Sequence, residues 1–444
     1  MAMVVKNNMS AVNTLNILNR NQSALAKSLQ KVSSGMKIND AGDDASGYAI
    51  SERMRVQIRS LDQDNQNTQN GNSMMKVAEG AVSSTVEILK TLKEKAINAA
   101  NDTNTDEDRR TIQKEINQMV DQIDDNALAT YNGKYLVDGS RNSIGTATCT
   151  ILTNSSLSTS ASWTDALTDL KSRTDESLNI QSTDNVTISY VRQGRTYTTT
   201  FSVGSTNTLA DIIKSTAFNG AESLAGTAAV ASGSTQNSAF IGLDKAKNSV
   251  YTADNKSALS ISAAGTGTTY QISSFTIAIK DNTGALRKTA NNALDAFTER
   301  VRAENKSEDN ALTLQTGTRA NQAIKVSMSD MRSLALGMKG TDGSVISVQT
   351  QDKANAAINS IDSALQKALD EQANIGAVQT RLRYTASNLT TQSENVQNSE
   401  STIRDADMAK EMTAYTKHNV LTQSAQAMLA QANQNSSAVL SLLQ

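Results

Sequence analysis

The chain contains no proline in 444 residues, where ordinary usage of about 5% would supply roughly twenty. Proline inside a helix removes a hydrogen bond and clashes with the preceding turn, costing about 3 kcal/mol or more, and its peptide bonds isomerise slowly. Its absence suits long unbroken helices that refold promptly. A single cysteine, Cys149, excludes an internal disulfide and every multi-cysteine metal motif. A single histidine, His418, excludes a two-histidine zinc helix and argues against a catalytic triad. Aromatic residues make up only 3%, which points away from one large globular core and towards thin helix-on-helix packing. No apolar run is long enough to span a bilayer, so no membrane insertion is expected. Met1 to Lys6 leads straight into Asn7 and Asn8 without the apolar core of a cleavable signal. The expectation is a protein that stays in the cytosol or leaves by a route other than the general secretory one. Lys+Arg 42 against Asp+Glu 44 gives a net charge of −2, which argues against a nucleic-acid partner.

Acidic pairs do occur, at Asp43-Asp44, Asp106-Glu107-Asp108 and Asp124-Asp125. Adjacent carboxylates at helix starts serve as caps and dipole complements, and no glycine-rich phosphate loop accompanies them. Neither an enzyme nor a cofactor or metal site is expected.

What the chain does have is helical periodicity at both ends. Leu15, Leu18, Gln22, Leu25, Leu29, Val32 and Met36 alternate at spacings of three and four, and so do Leu421, Ala425, Met428, Ala432, Asn435, Val439 and Leu442. Such seams make a helix seek partner helices along one stripe. Val439, Leu440, Leu442 and Leu443 exceed what one two-helix pair can cover, so pairing with neighbouring copies is expected too. Polar seam residues, Gln22, Gln372, Gln379 and Asn435, either fix register or are tolerated in a loosely packed bundle.

Between the ends the expectation is mainly α with an inserted β-containing domain. A helix over 1–32 gives way at Ser33-Ser34-Gly35 to a polar connector, with Asp43, Asp44 and Ser46 as candidate N-caps. A second helix runs from Tyr48 to Asn101 with Val82, Val86, Leu89 and Ala96 on one face. A third carries Ile112, Ile116, Met119 and Ile123, and Asn132-Gly133 and Asp138-Gly139 mark turns. From 141 to 305 Ser, Thr, Gly and Asn dominate. Val186–Val191 and Thr196–Val203 read as a hairpin, Ser274–Lys280 as a further strand, and Trp163 as the anchor of a small core. Two short strands, Ala311–Gly317 and Ala323–Met328, precede the strongest periodicity in the chain, from Ile358 to Leu389. That stretch predicts a helix of about 48 Å. The chain goes out through helices and returns through helices to finish beside its start.

Several segments resemble bacterial flagellin. They are Leu29-Gln-Lys-Val-Ser-Ser-Gly-Met-Lys-Ile-Asn-Asp-Ala-Gly-Asp-Asp-Ala-Ser-Gly47, Val77-Ala-Glu-Gly-Ala-Val82, Tyr131-Asn-Gly-Lys-Tyr-Leu-Val-Asp-Gly139, Ile375-Gly-Ala-Val-Gln-Thr-Arg-Leu382, Ile403-Arg-Asp-Ala-Asp-Met-Ala-Lys-Glu411 and Ala427-Met-Leu-Ala-Gln-Ala-Asn-Gln434. The resemblance covers about residues 1–140 and 306–444. It implies a secreted structural subunit of the flagellar filament, exported through the flagellum's own channel and built from paired terminal coiled-coil helices and a long antiparallel helical shell. The implied division is 1–45 and 399–444 for the inner tube, 46–140 and 306–398 for the shell, and 141–305 for a variable outer domain. Implied partners are other copies of the chain, an export chaperone, the filament cap and hook-junction proteins. The polymerisation seam would comprise Leu15, Leu18, Leu25, Leu29, Val32, Leu421, Met428, Val439, Leu440, Leu442 and Leu443.

Two further expectations come with the resemblance. Flagellins recognised by the innate Toll-like receptor usually carry Gln-Arg-Val-Arg-Glu-Leu where this chain has Lys90-Thr-Leu-Lys-Glu-Lys95. Thr91 replaces the first arginine and Lys95 the leucine, while Glu115 is kept, so weak receptor activation is expected. Flagellins are also often O-glycosylated in the outer domain, which makes Ser155, Ser156, Ser158, Thr159 and Ser160 candidate acceptors, with a plain solvated loop as the alternative. Outside the filament reading stand a hook–filament junction protein of the same superfamily and a soluble coiled-coil signalling or adhesin protein. The full run from Ile403 to Leu443 favours the filament over the first, and the lack of a membrane span or sorting signal counts against the second.

Overall fold

The computed structural model describes residues 8–214 and 239–441. Two compact units divide the chain: one from Met1–Thr68, Gln315–Gln322 and Tyr384–Gln444, the other from Gln69–Leu314 and Ala323–Arg383. The helices are α1 (Met9–Ser34), α2 (Ala45–Ala99), α3 (Asp106–Ala127), α4 (Leu209–Lys214), α5 (Lys288–Leu294), α6 (Gln351–Arg404) and α7 (Met408–Ser441). The strands are β1 (Thr130–Tyr131), β2 (Lys134–Tyr135), β3 (Ile151–Asn154), β4 (Asn185–Arg192), β5 (Arg195–Ser202), β6 (Phe240–Leu243), β7 (Ser249–Tyr251), β8 (Leu259–Ser262), β9 (Ile272–Lys280), β10 (Phe297–Val301), β11 (Leu312–Gln315) and β12 (Ala323–Val326).

In the first unit α1 and α7 lie antiparallel. Asn8 caps α1 by accepting the amide of Ala11, and its side-chain nitrogen donates to the carbonyl of Ala432 at 3.1 Å. Asn21 reaches the carbonyl of Leu421 further along. Gly35 ends α1 in the left-handed conformation, φ 72°, with its amide on the carbonyl of Lys31, the usual glycine helix stop. The connector then turns into α2, where the Asp44 carboxylate accepts the amides of Ser46 and Gly47. A side chain at Gly47 would meet the Asp44 carboxylate at 2.5 Å and Ile38 at 2.7 Å, so only glycine fits under that cap. Within this unit α2 and α6 are tied by side chains, Asn65 to Thr390 and Ser393 to Asp62.

α6 is 54 residues long, about 81 Å at 1.5 Å per residue. It continues past the strongly periodic stretch, through Ser399 to Arg404. Ile361, Ala368, Ile375, Leu382 and Leu389 are all buried at strict seven-residue spacing, and the seam then thins to half-buried Ser393, Val396 and Glu400. With no proline or glycine after Gly376, nothing in the sequence stops it earlier.

The second unit packs α2, α3 and α6 around an aliphatic core. Met75, Val82, Leu89 and Leu92 from α2 meet Ile116, Val120 and Ile123 from α3 and Ile361 and Ile375 from α6. Burial of each such side chain contributes about 1.5–3 kcal/mol. Thr105 and Asp108 form a reciprocal capping box at the start of α3, worth about 1 kcal/mol. Arg109 folds back to donate to the carbonyls of Ala99 and Asn101, closing the turn between α2 and α3. The seam glutamine Gln379 donates to Glu79 at 2.7 Å, a register-fixing contact of the kind a polar seam residue can supply.

The inserted domain belongs to this unit. β4 is the middle strand of an antiparallel β5–β4–β9 sheet, and β3 the middle strand of β10–β3–β8. Gln193 and Gly194, both at positive φ, make the two-residue hairpin turn between β4 and β5. Trp163 is buried with Tyr190 and Phe275 in the insert's own core, as its isolation in the sequence suggests.

Candidate assembly surface

The antiparallel pair of α1 and α7 does not bury the leucine stripe that the spacing singles out. Leu18 is 8% exposed, but Leu15 and Leu29 are 44% and 52% exposed, and Leu421 and Met428 are 40% and 63% exposed. Leu25 and Val32 are half-buried. The buried positions are Ser28 with Leu18 on α1, and Thr422 and Ala425 on α7. Leu18 apart, the fully buried positions of the pair are small side chains, while Leu15, Leu29, Leu421 and Met428 are left exposed. Val439 and Leu440 fall in the last turn of α7, and Leu442 and Leu443 lie outside the described residues.

The outward stripe is broader than the spacing predicts. Met9, Val12 and Ile17 extend it on α1, and Met408, Met412 and Val420 on α7. An adjacent apolar pair was the available signal on α1: Ile17 and Leu18 point about 100° apart on a helix, and the chain buries Leu18 while leaving Ile17 exposed. α7 carries no charged residue from Asn419 to Ser441. Exposed apolar side chains on an uncharged helical stretch of this length are a candidate interaction surface.

On α2 the receptor-region residues are engaged within the chain. Lys95 forms an ion pair with Glu115 at 2.6 Å, and the Thr91 hydroxyl donates to the carbonyl of Glu87. Lys90 and Lys93 are likewise held, by Glu87 and Asp362. Glu115 is therefore ion-paired with the lysine at position 95.

The five hydroxyls near Ser155 do not form one exposed cluster. Thr159 and Ser160 are exposed, Ser155 and Ser156 are half-buried, and Ser158 is buried with its hydroxyl donating to Asp175 at 2.9 Å. Ser158 is corrected from acceptor to structural residue: the Lys171–Ser177 turn folds over it and ties down its oxygen.

Buried charge is the feature that the sequence does not announce. Where β10 meets α6, burial pushes the Glu299 carboxyl up to about 7. Lys367 is buried alongside Ala368, donates to the carbonyl of Ala335 at 2.9 Å, and is pushed below the ordinary lysine range by burial. Burial likewise raises Glu371. Arg302 sits between them at the rim, 2.7 Å from Asp370 and 3.8 Å from Glu299. Among the described residues no group of acids, histidine and cysteine is arranged to hold a metal ion.

Both ends of the chain match known family models. The family model "Bacterial flagellin N-terminal helical region" matches residues 5–142, and "Bacterial flagellin C-terminal helical region" matches residues 358–443. A flagellin of Clostridium tyrobutyricum is 34% identical over 97% of this chain and 99% of its own length. The flagellar filament 31.3 kDa core protein of Treponema maltophilum is 28% identical over the whole of both chains. Among solved structures, FliC from Burkholderia pseudomallei aligns over 70% of this chain and 99% of its own, at 17% identity and a TM-score of 0.26. With both helical regions matched and near-full-length identity to a flagellin, the chain belongs to the bacterial flagellin family, the structural subunits of the flagellar filament.

Proposed function

We propose that this flagellin polymerises through the outward apolar stripes of α1 and α7, each covered by the terminal helices of neighbouring copies. The carrying observation is the division of labour in the terminal pair: Thr422 and Ala425 are buried within the chain while Leu421 and Met428 stay exposed beside them. Covering a leucine or methionine contributes about 1.5–3 kcal/mol, so a few such contacts per interface, repeated along a lattice, give a stiff polymer. In this reading residues 1–45 and 399–444 line the inner tube, 46–140 and 306–398 form the shell, and 141–305 face outwards.

The same stripe would be hazardous before assembly. An export chaperone that covers it, passage through the filament channel, and cap and hook-junction proteins that present matching helices complete the proposal. Activation of the innate receptor is expected to be weak because Lys95 occupies Glu115. Ser155, Ser156, Thr159 and Ser160 remain as acceptors for O-glycosylation, the exposed Thr159 and Ser160 being the most open of them, and intact-mass measurement on native protein reads that directly.

Negative-stain microscopy under salting-out conditions tests the assembly reading, with the full chain beside one ending at Asp407. Long tubes from the full chain alone support it. Tubes from both, or from neither where another flagellin assembles, overturn it.

A further inference from the structure

α6 and α7 are separated by three residues, Asp405-Ala406-Asp407, and none of them is a helix breaker. Aspartate is only modestly worse than alanine in a helix interior, far from the penalty of proline. The interruption must therefore be held from outside.

The backbone groups at the break show what holds it. In an unbroken helix the Ala406 amide would donate to the carbonyl of Thr402, and the Met408 amide to the carbonyl of Arg404. Here the Ala406 amide donates instead to Gly35 at 2.9 Å, the Arg404 carbonyl accepts the amide of Lys37 at 2.8 Å, and the Thr402 carbonyl accepts the Lys37 ammonium at 3.3 Å. Met36 pairs with Asp405 between them. Three residues at the end of α1 thus satisfy the groups that the helix gives up. Asp407 then restarts α7 by accepting the amides of Ala409 and Lys410.

Arg404 locks this arrangement. Its guanidinium is buried, lies 2.6 Å from Glu52 and sits over the ring of Tyr48 at 5.4 Å, both on the first turns of α2. Gly35 supplies the left-handed turn that lets the chain enter the slot, and a side chain there would meet nothing within 4 Å. A substitution at Gly35 would act on the turn alone.

We propose that the break between α6 and α7 is a switchable joint, wedged open by Gly35–Lys37 and locked by Arg404 on α2, and that releasing the wedge joins the two helices. Arg404 is then a positioning residue for the terminal pair. The proposal takes from the assembly reading only the setting in which the joint works.

Solid-state NMR on filaments grown with carbon-13 alanine reads the joint at Ala406, whose resonance is identified by its loss in Ala406→Ser. In the wild-type filament the Ala406 Cα shift is expected outside the helical range. In Arg404→Ala, and independently in Gly35→Ala, it is expected to move into that range. A shift that stays non-helical in both variants overturns the proposal, because the break is then intrinsic to Asp405–Asp407. A wild-type shift that is already helical overturns it as well. If the wild-type chain forms no filaments, the assembly reading fails instead, and the same resonances are read from the soluble subunit in solution.

Discussion

α6 in the second unit and α7 in the first carry the same three-four spacing and use it in opposite ways. Along α6, Ile361, Ala368, Ile375 and Leu382 are buried by other parts of the same chain. Along α7 the chain buries Thr422 and Ala425 and leaves Leu421 and Met428 to solvent. Periodicity says that a stripe will be covered; it does not say by whom. The positions fully buried along this part of α6 include isoleucines and a leucine, and those along α7 are Thr422 and Ala425.

The largest expected effect sharpens the first half of that comparison. Ile123 is fully buried against α2 and α6, so Ile123→Ala should destabilise the subunit by about 2–5 kcal/mol, read from denaturant unfolding. An unfolding midpoint equal to that of the wild type would mean that the second unit is not held by this core.

A second test concerns the buried charge between β10 and α6. The Glu299 carboxyl sits at about 7 in the fold and near 4.3 in an unfolded chain, so the folded state binds the extra proton. Its contribution is full below the unfolded value, is lost as pH rises from roughly 4.3 to 7, and stays lost above that. The total is on the order of 3 kcal/mol. Lys367 shifts in the opposite direction, so the difference between wild type and Glu299→Gln is read, which reports the glutamate together with its coupling to Lys367. That difference in unfolding free energy should fall across this window. A flat difference would show that Glu299 keeps its ordinary titration.

The smallest effect on the fold is expected on α2. The Lys95–Glu115 pair is partly exposed on both sides, and such pairs contribute about 0–1 kcal/mol. Thr91→Arg with Lys95→Leu should leave unfolding nearly unchanged but raise the response of receptor reporter cells, because Glu115 is freed and the apolar contact restored. A response unchanged from wild type would mean that positions 91 and 95 do not set receptor recognition.

These particulars also mark how far the residues alone could be read. The seams of α2 and α6 and the 193–194 turn are legible because periodicity and turn chemistry depend on neighbours a few positions away. The anchoring of the insert by Trp163 is legible because it is the chain's one tryptophan. The outward apolar stripe was legible in part. Leu421 and Met428 stand out by hydrophobicity, yet the position that the chain itself buries lies one residue on, at Thr422, and spacing alone cannot separate the two. Ser158 reads as solvated among its serines until the turn from Lys171 to Ser177 closes over it. Lys367 and Glu371 look like an exposed helical pair, and only the return of residues 299–304 and 329–335 to α6 buries them. Long-range contacts of this kind leave no local trace.

The central claim is that the outward stripe serves assembly and not the fold. Its most direct measurement compares the wild type with a Leu15→Ser, Leu421→Ser, Met428→Ser triple variant, recording the unfolding midpoint of the soluble subunit and the concentration at which tubes first form. Each lost contact of about 1.5 kcal/mol or more corresponds to roughly tenfold in an association constant. The expected result is an unchanged midpoint and an onset concentration raised at least a hundredfold, or no tubes at all. Normal onset with a lowered midpoint would contradict the account, since the stripe would then belong to the subunit's own packing.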